Sequence, residues 1–136
     1  MTVIVCISDG GGMMFNKRRQ SRDAAVIENI AQLVGDGAIF ISDFSINLFS
    51  DSTLSVIAAS DPLAAADKED FVFIEDRGIK NYIPKITRLV IYRWNRSYPA
   101  DIKLDIDAAS LGMKLTHSID FKGKSHEKIT REIWKW

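Results

Sequence analysis

Cysteine is nearly absent from this sequence, and its scarcity excludes several kinds of protein. Among 136 residues only Cys6 carries a thiol, so the chain cannot form an internal disulfide or a cysteine-rich metal site. The sequence also lacks an apolar run of roughly 18 residues, which a membrane-spanning helix needs. Its first residues lack the basic flank, long apolar stretch and cleavage site of a signal peptide. We therefore expect a soluble, cytoplasmic protein with no membrane partner.

An excess of charge of one sign is missing as well. Eighteen basic side chains balance 18 acidic ones, which excludes a polycationic nucleic-acid tail, and a hydrophobic content of 46% excludes a disordered chain. The length is that of one compact domain whose interior is large enough to fold without disulfides. We expect a single domain over residues 1–136.

The two signs of charge are unevenly distributed along the chain. Residues 36–76 contain nine acids and one base, whereas residues 77–136 contain thirteen bases and six acids. Two interpretations are open, a surface field that attracts a charged partner or a folded surface on which the two sets interleave. In either case the asymmetry concerns partners and not the fold.

Short apolar runs alternate with helical patterns in the first part of the chain. The β-branched run Val3–Ile7 is typical of a buried strand, and it ends in a glycine-rich loop. Ser21 is a predicted N-cap of a helix whose apolar stripe reaches Val34. Further strands and short helices follow in alternation at 38–41, 43–49, 54–57, 62–66, 71–74 and 78–83. This alternation predicts a mostly parallel central sheet with flanking helices on both faces.

The second part of the chain is extended. Residues 86–94 predict a long strand and residues 102–106 an extended segment, while 111–121 and 127–134 predict an antiparallel C-terminal hairpin. Within the last strand Ile129 and Ile133 are expected to face the core. The predicted fold class is therefore α/β, and a ligand is expected at the carboxyl ends of the parallel strands.

This order of elements resembles the dihydrofolate reductase family over nearly the full length of the chain. The tail carries the best match, because Lys85–Tyr92 is followed by an acid-rich extended segment and by a final hairpin that contains Ser125-His126. The other matching segments are strands with the loop or helix that follows each of them, at 3–16, 38–49, 54–60 and 71–82. The resemblance implies a dihydrofolate reductase-like fold.

The resemblance also implies roles for individual residues. Asp23 lies within one residue of the family's substrate-binding carboxylate, where a buried acid holds two donors of a pterin ring. The alternative is that Asp23 only stabilises the helix dipole. Gly12, Ser42 and Gly78 match cofactor-binding positions, and the cofactor that the resemblance implies is NADPH.

The cofactor motif departs from the family's pattern. A pair of glycines is replaced by Glu75-Asp76-Arg77-Gly78, whose carboxylates disfavour dinucleotide phosphates. Asp43 stands at a helix start where a glycine and a base are expected, and it would repel phosphate there. These departures argue against conventional dihydrofolate reduction. They leave the cofactor unknown and leave open whether the chain is an enzyme related to the oxidoreductases.

Two arginine-rich segments are candidate anion sites. The first lies between the glycine loop and the helix start, where guanidiniums and free N–H groups can converge on one anion. The second surrounds Trp94, and arginine interleaved with aromatics is a composition that holds a phosphate while a base stacks. The alternative for the second is structural, because aromatic-rich strands are usually core and arginines beside them often stack as spacers. The arginines predicted to bind an anion are Arg18, Arg19, Arg22, Arg93 and Arg96.

His126 is the second candidate catalytic residue. It follows a tight turn, a histidine can act as a general base, and the adjacent Ser125 offers a hydroxyl. Glu127 points to the opposite face of an extended strand and so cannot orient His126, whereas His117 is close to it if the hairpin forms. An ordinary turn histidine is the alternative. Two histidines without paired cysteines give no metal-ligand spacing, so no metal site is predicted.

Three functions are compatible with these residues. The first is binding of a small anionic or nucleotide-like ligand in a cleft lined by 9–23, 42–45 and 75–78. The second is an RNA- or phosphate-directed binding protein or hydrolase that uses the arginines and His126. The third is a non-catalytic homodimer whose interface uses Trp134 and Trp136.

Overall fold

A computed structural model describes residues 1–136, and it contains ten strands and four helical segments. The strands are β1 Thr2–Ile7, β2 Gly12–Phe15, β3 Arg18–Arg19, β4 Ala38–Ile41, β5 Ser55–Ala58, β6 Phe71–Phe73, β7 Arg88–Arg93, β8 Ile102–Lys103, β9 Lys114–Phe121 and β10 Ile129–Lys135. The α-helices are α1 Ala24–Val34 and α2 Pro62–Ala65, and two 3-10 helices span Asp43–Phe49 and Lys80–Lys85. None of these helices is both long and apolar enough to cross a membrane.

Seven strands form the central sheet in the order β5-β4-β6-β1-β7-β10-β9. The five strands from β5 to β7 are parallel, and the C-terminal hairpin adds β10 and β9 antiparallel to them. This architecture confirms the predicted mostly parallel sheet and its antiparallel C-terminal hairpin. The carboxyl ends of β1, β4 and β6 lie at one edge of the sheet, where the loops that follow these strands meet.

Apolar side chains cover both faces of the sheet. On one face α1 buries Val26, Ile30 and Val34 against alternate residues of the strands, and Ile129 and Ile133 join this cluster as predicted. On the other face α2 contributes Leu63 to a second cluster that contains Val3, Val5 and Ile7 of β1. Because β1 is covered on both sides, it has no polar alternation, which is why Val3–Ile7 is a continuous apolar run rich in β-branched residues.

A second, smaller sheet has the order β3-β2-β8, and all its pairs are antiparallel. Asn16 and Lys17 connect β2 to β3 with φ angles of 51° and 63°, the backbone that a two-residue hairpin of matching twist requires. This turn sets Arg19 directly opposite Met14. The sequence pattern did not predict β2 and β3, because both strands are short and their side chains do not alternate clearly.

The predicted N-cap of α1 is wrong by two residues. The helix begins at Ala24, and Asp23 caps it by accepting a hydrogen bond from the Ala25 N–H at 2.9 Å. The Ser21 side chain instead pairs with His126. Both residues are good helix caps, and the tertiary partners of each decide which one caps α1.

Candidate functional site

A small cavity lies where the carboxyl ends of β1 and β6 meet the start of α1. Its lining is mostly apolar and includes Val26, Leu48, Phe73 and Trp94. Its polar lining comes from Arg19, Ser21, Asp23 and Glu75, with the Cys6 thiol beside them. The volume that the centre of a water molecule can reach is about 20 Å³, which is room for roughly one water molecule.

Glu75 is the buried carboxylate at the mouth of this cavity. Its side chain is 5% exposed and accepts two hydrogen bonds from Arg19, from Nε at 2.9 Å and from Nη2 at 3.0 Å. The Ser45 hydroxyl donates a third at 2.6 Å. The Arg19 guanidinium also lies 5.1 Å from the centroid of the exposed Phe44 ring. Arg19 therefore occupies the mouth as a planar cation held by a carboxylate and an aromatic ring.

Asp23 is the second buried carboxylate, and its oxygens are saturated by the protein itself. Besides the Ala25 N–H, Oδ1 accepts from the Lys124 N–H, and Oδ2 accepts from the Ser125 N–H and hydroxyl. The ring of His126 adds a further bond to Oδ2 at 2.9 Å. Burial by itself raises the pKa of Asp23, but these hydrogen bonds outweigh it and hold the pKa well below its usual range.

His126 is 5% exposed and lies against three hydroxyl groups and the Trp94 ring, and the Ser125 hydroxyl is the one near Nδ1, at 3.1 Å. Its Nδ1 faces Asp23, and its Nε2 is 2.9 Å from the Ser21 hydroxyl and 3.4 Å from the Tyr98 hydroxyl. Trp94 stacks on the imidazole with ring centroids 4.7 Å apart. The structure thus brings the two predicted catalytic residues, Asp23 and His126, into direct contact. His117 is exposed on β9 and shares no hydrogen-bond partner with His126.

The Cys6 thiol is partly buried and lines the cavity. Burial raises the pKa of this thiol far above its usual value, and the nearby Glu75 carboxylate adds to the rise. The thiol is therefore protonated at neutral pH, which makes it a poor nucleophile and a poor metal ligand.

The five predicted anion-binding arginines lie in different places. Arg19 alone lines the cavity, and its charge is matched by Glu75. Arg18 lines a neighbouring surface groove with Tyr98, and Arg22 lines another beside Asp51. Arg93 forms an ion pair with Glu132, and Arg96 is exposed. Anion binding by these arginines stays a prediction, for the segment before α1 and for the segment around Trp94 alike.

The residues at the predicted cofactor positions do not fit a dinucleotide pyrophosphate. At Gly78 the space for a Cβ is filled by the Asp105 carboxylate, which accepts hydrogen bonds from the N–H groups of Ile79 and Lys80. At Gly12 the corresponding space is filled by the side chains of Ala100 and Gln20. The Ser42 hydroxyl is buried without a partner. An acidic group thus takes the N–H donors that a phosphate would need.

The two C-terminal tryptophans, Trp134 and Trp136, make hydrogen bonds within the chain. Trp136 is 54% exposed, yet its Nε1–H donates to the Ile86 carbonyl at 2.7 Å, and Trp134 donates to Glu132. Homodimerisation through these tryptophans and binding of RNA stay predictions.

The segments predicted to line a cleft, 9–23, 42–45 and 75–78, contain Ser21, Ser45 and Glu75, but no binding role was predicted for these three residues individually. The sequence pattern predicted Ser21 as a helix cap and indicated Glu75 only as a departure from a glycine pair. Glu75 and Arg19 are 56 positions apart, so no local pattern signals their pairing. A lone acid that directly follows an apolar strand in a parallel sheet was the available signal.

Comparisons with known proteins agree with this architecture. No protein-family model matches the chain, and neither does any curated protein. Among solved structures, the chain is similar to the dihydrofolate reductase from Enterococcus faecalis complexed with NADP(H) and RAB-propyl. The TM-score is 0.68 and the identity 9%, and the match covers 98% of this chain and 94% of the other. The chain therefore has a divergent dihydrofolate reductase-like fold.

Proposed function

We propose that this domain binds a small, planar, nucleotide-like ligand at the cavity mouth and that Glu75 recognises its ring N–H groups. The observation that carries the proposal is the two-point contact between Glu75 and Arg19. A guanidinium presents two parallel N–H donors in one plane, and a 2-aminopyrimidine, guanine or pterin ring presents the same pair. Arg19 therefore occupies the place that such a ring would take.

The surroundings of Glu75 support a planar ligand. Phe44 provides an aromatic face on which a flat ring can stack, and the Ser45 hydroxyl holds the carboxylate in position. The apolar lining behind the mouth favours a ring over a sugar or a free phosphate. An anionic ligand is less well supported here because the nearest cation, Arg19, is already neutralised.

Entry of the ligand requires Arg19 to swing out. Its side chain is 19% exposed and starts from a two-residue strand, and the only hydrogen-bonded side chain it would release is Glu75, which the ligand then binds. The competition lowers the apparent affinity, because only the fraction of molecules with Arg19 displaced can bind. Replacing Arg19 with alanine should therefore tighten binding of a planar donor ligand.

Thermal-shift measurements with 2,4-diaminopyrimidine, guanosine and inorganic phosphate test this proposal. At about 100 times Kd a ligand stabilises the native state by about 2.7 kcal/mol, which raises Tm by roughly 10 °C for a chain of this size. We expect the ring compounds to stabilise Arg19→Ala more than the native protein and to have no effect on Glu75→Gln. The exposed Glu69→Gln serves as the matched control and should behave like the native protein.

Two results would contradict this proposal. If phosphate stabilises the native protein and Arg19→Ala abolishes that effect, the site is an anion site and Glu75 is only its counter-ion. If neither ring compound shifts Tm in Arg19→Ala, the proposal is wrong.

A further inference from the structure

Ser21, His126 and Asp23 form a continuous chain of hydrogen bonds that the proposed ligand site does not use. The Ser21 oxygen is 2.9 Å from His126 Nε2, and His126 Nδ1 is 2.9 Å from Asp23 Oδ2. These residues come from the segment before α1, from the turn before β10 and from the N-cap of α1. We propose that Ser21 is the nucleophile of an acyl-transfer site that hydrolyses esters with small acyl groups.

The protonation states follow from the partners of each group. Asp23 is ionised and can only accept, so His126 Nδ1 carries a proton and donates it to Oδ2. In the neutral form of the imidazole the other ring nitrogen, Nε2, has a free lone pair and accepts a hydrogen bond from the Ser21 hydroxyl. In this state the imidazole is oriented to remove the serine proton, which is the arrangement that activates a hydroxyl as a nucleophile.

The surroundings of His126 favour its role as a general base. Stacking on Trp94 stabilises the imidazolium that forms when the ring takes a proton, and Asp23 supplies the opposite charge. Four further donors already hold the Asp23 carboxylate in place, so it acts as a positioning residue. The Tyr98 hydroxyl, at 3.4 Å from Nε2, is a weaker competitor than Ser21.

The cavity beside Ser21 defines the substrate class. Ser21 lines the cavity together with Val26, Ile27 and Trp94, so an acyl group bound to its oxygen would face an apolar wall. The free space holds about one water molecule, so the site admits only the smallest acyl groups, such as acetyl, and neighbouring side chains must shift to seat even these. A larger acyl chain would clash with this wall.

The chemical step balances with water as the only co-reactant. The Ser21 oxygen bonds to the ester carbonyl carbon while its proton passes to His126 Nε2. The carbon–oxygen bond to the alcohol then breaks, and His126 returns the proton to the departing alcohol. Water attacks the acyl-serine with the same help, which releases the carboxylic acid and restores the Ser21 hydroxyl.

Methanesulfonyl fluoride, whose sulfonyl methyl group is close to acetyl in size, tests the nucleophile directly in the full-length protein. We expect one covalent adduct per chain by intact mass spectrometry, and peptide mapping should place it on Ser21. Ser21→Ala should lose the adduct, His126→Gln should lower the labelling rate by about 100-fold, and the exposed Ser118→Ala should react like the native protein. A folded native protein without an adduct, or an adduct that persists in Ser21→Ala, overturns the proposal.

A second pair of variants keeps the test valid if His126→Gln does not fold. A thiol at position 21 should lose its proton to His126, whereas a thiol at the exposed position 118 has no such base. We therefore expect iodoacetamide at about pH 6 to alkylate Ser21→Cys faster than Ser118→Cys, although position 118 is more exposed. The reverse order contradicts activation of position 21. Neither experiment depends on Glu75, so its outcome is separate from that of the ring-binding test.

Discussion

The two buried carboxylates, Asp23 and Glu75, show how partners decide the use of a residue. Asp23 has five hydrogen-bond donors on its two oxygens, all from the protein, and it is thereby committed to holding other groups in place. Glu75 is held by two side chains, of which Arg19 can move. A ligand can replace a side chain more easily than it can replace backbone N–H groups. Glu75 is therefore the more available acceptor.

Asp23 makes stability depend on pH in the acid range. The folded pKa lies below the value near 3.9 of an unfolded aspartate, so its contribution is complete above about pH 4 and is lost as the pH falls below that. Asp23→Asn should remove this dependence and lower the free energy of unfolding at neutral pH by about 2 kcal/mol, because buried donors lose their charged acceptor. Urea denaturation between about pH 3 and pH 7 measures both effects.

Asp43→Asn is the control for Asp23→Asn, since Asp43 is exposed and caps nothing with its side chain. An equal acid sensitivity in the native protein and in Asp23→Asn would contradict the role of this carboxylate.

The short hairpin formed by β2 and β3 is the element that places Arg19 at the cavity. Its turn requires a positive φ at both central residues, and Asn16 adopts this backbone more readily than Lys17. Lys17→Gly should relieve the backbone strain of the positive φ, but it also raises the conformational entropy of the unfolded chain. Because the first effect is the larger, we expect the free energy of unfolding to rise by roughly 0.5 kcal/mol. Lys17→Ala removes the same charge but keeps a Cβ, so it does not relieve the strain and should not stabilise the protein. Equilibrium unfolding in denaturant measures the free energy of unfolding of both variants.

The turn before β10 is the element that ties the C-terminal hairpin to α1. A Cβ at Gly123 would contact the Asp23 carboxylate and would approach Ile129 Cδ1 to 2.8 Å. Gly123→Ala should therefore displace the turn and lower the free energy of unfolding by about 2 kcal/mol. Gly10→Ala is the matched control, because its Cβ would meet nothing within 4 Å. We expect a lower Tm for Gly123→Ala than for Gly10→Ala. Similar Tm values would show that the turn can shift without a loss of stability.

At the scale of the whole molecule, the parallel sheet collects distant segments at one edge. Residues 19, 45 and 75 form one group there, and residues 21, 23 and 126 form another. Within each group the residues come from segments that are far apart in the sequence. The Cys6 thiol, which lies partly buried beside both groups, reports on whether this edge opens. Since its raised pKa keeps the thiol protonated, we expect its reaction with a disulfide reagent to be slow until the edge opens or the chain unfolds.

We therefore expect Cys6 to react slowly in the native protein and at the rate of a free thiol in denaturant. Arg19→Ala should increase the native rate several-fold, because Arg19 occupies the mouth of the cavity that Cys6 lines. Spectrophotometric titration with an aromatic disulfide measures both rates. A fast native reaction would mean that the cavity is open without displacement of Arg19.

The sequence by itself determined most of the architecture and part of the site. A strand that is buried on both faces has a continuous apolar sequence, and such runs predicted the parallel strands. A strand that is buried on one face alternates apolar and polar residues, and this pattern around Ile129 and Ile133 predicted the last strand. The sequence also singled out Asp23 and His126 as separate candidates. Only the tertiary structure decided that these two touch, that Ser21 faces the imidazole and that Arg19 fills the mouth in front of Glu75. Such contacts depend on strand order and on turns with particular φ angles, and residues 103 positions apart leave no common local pattern.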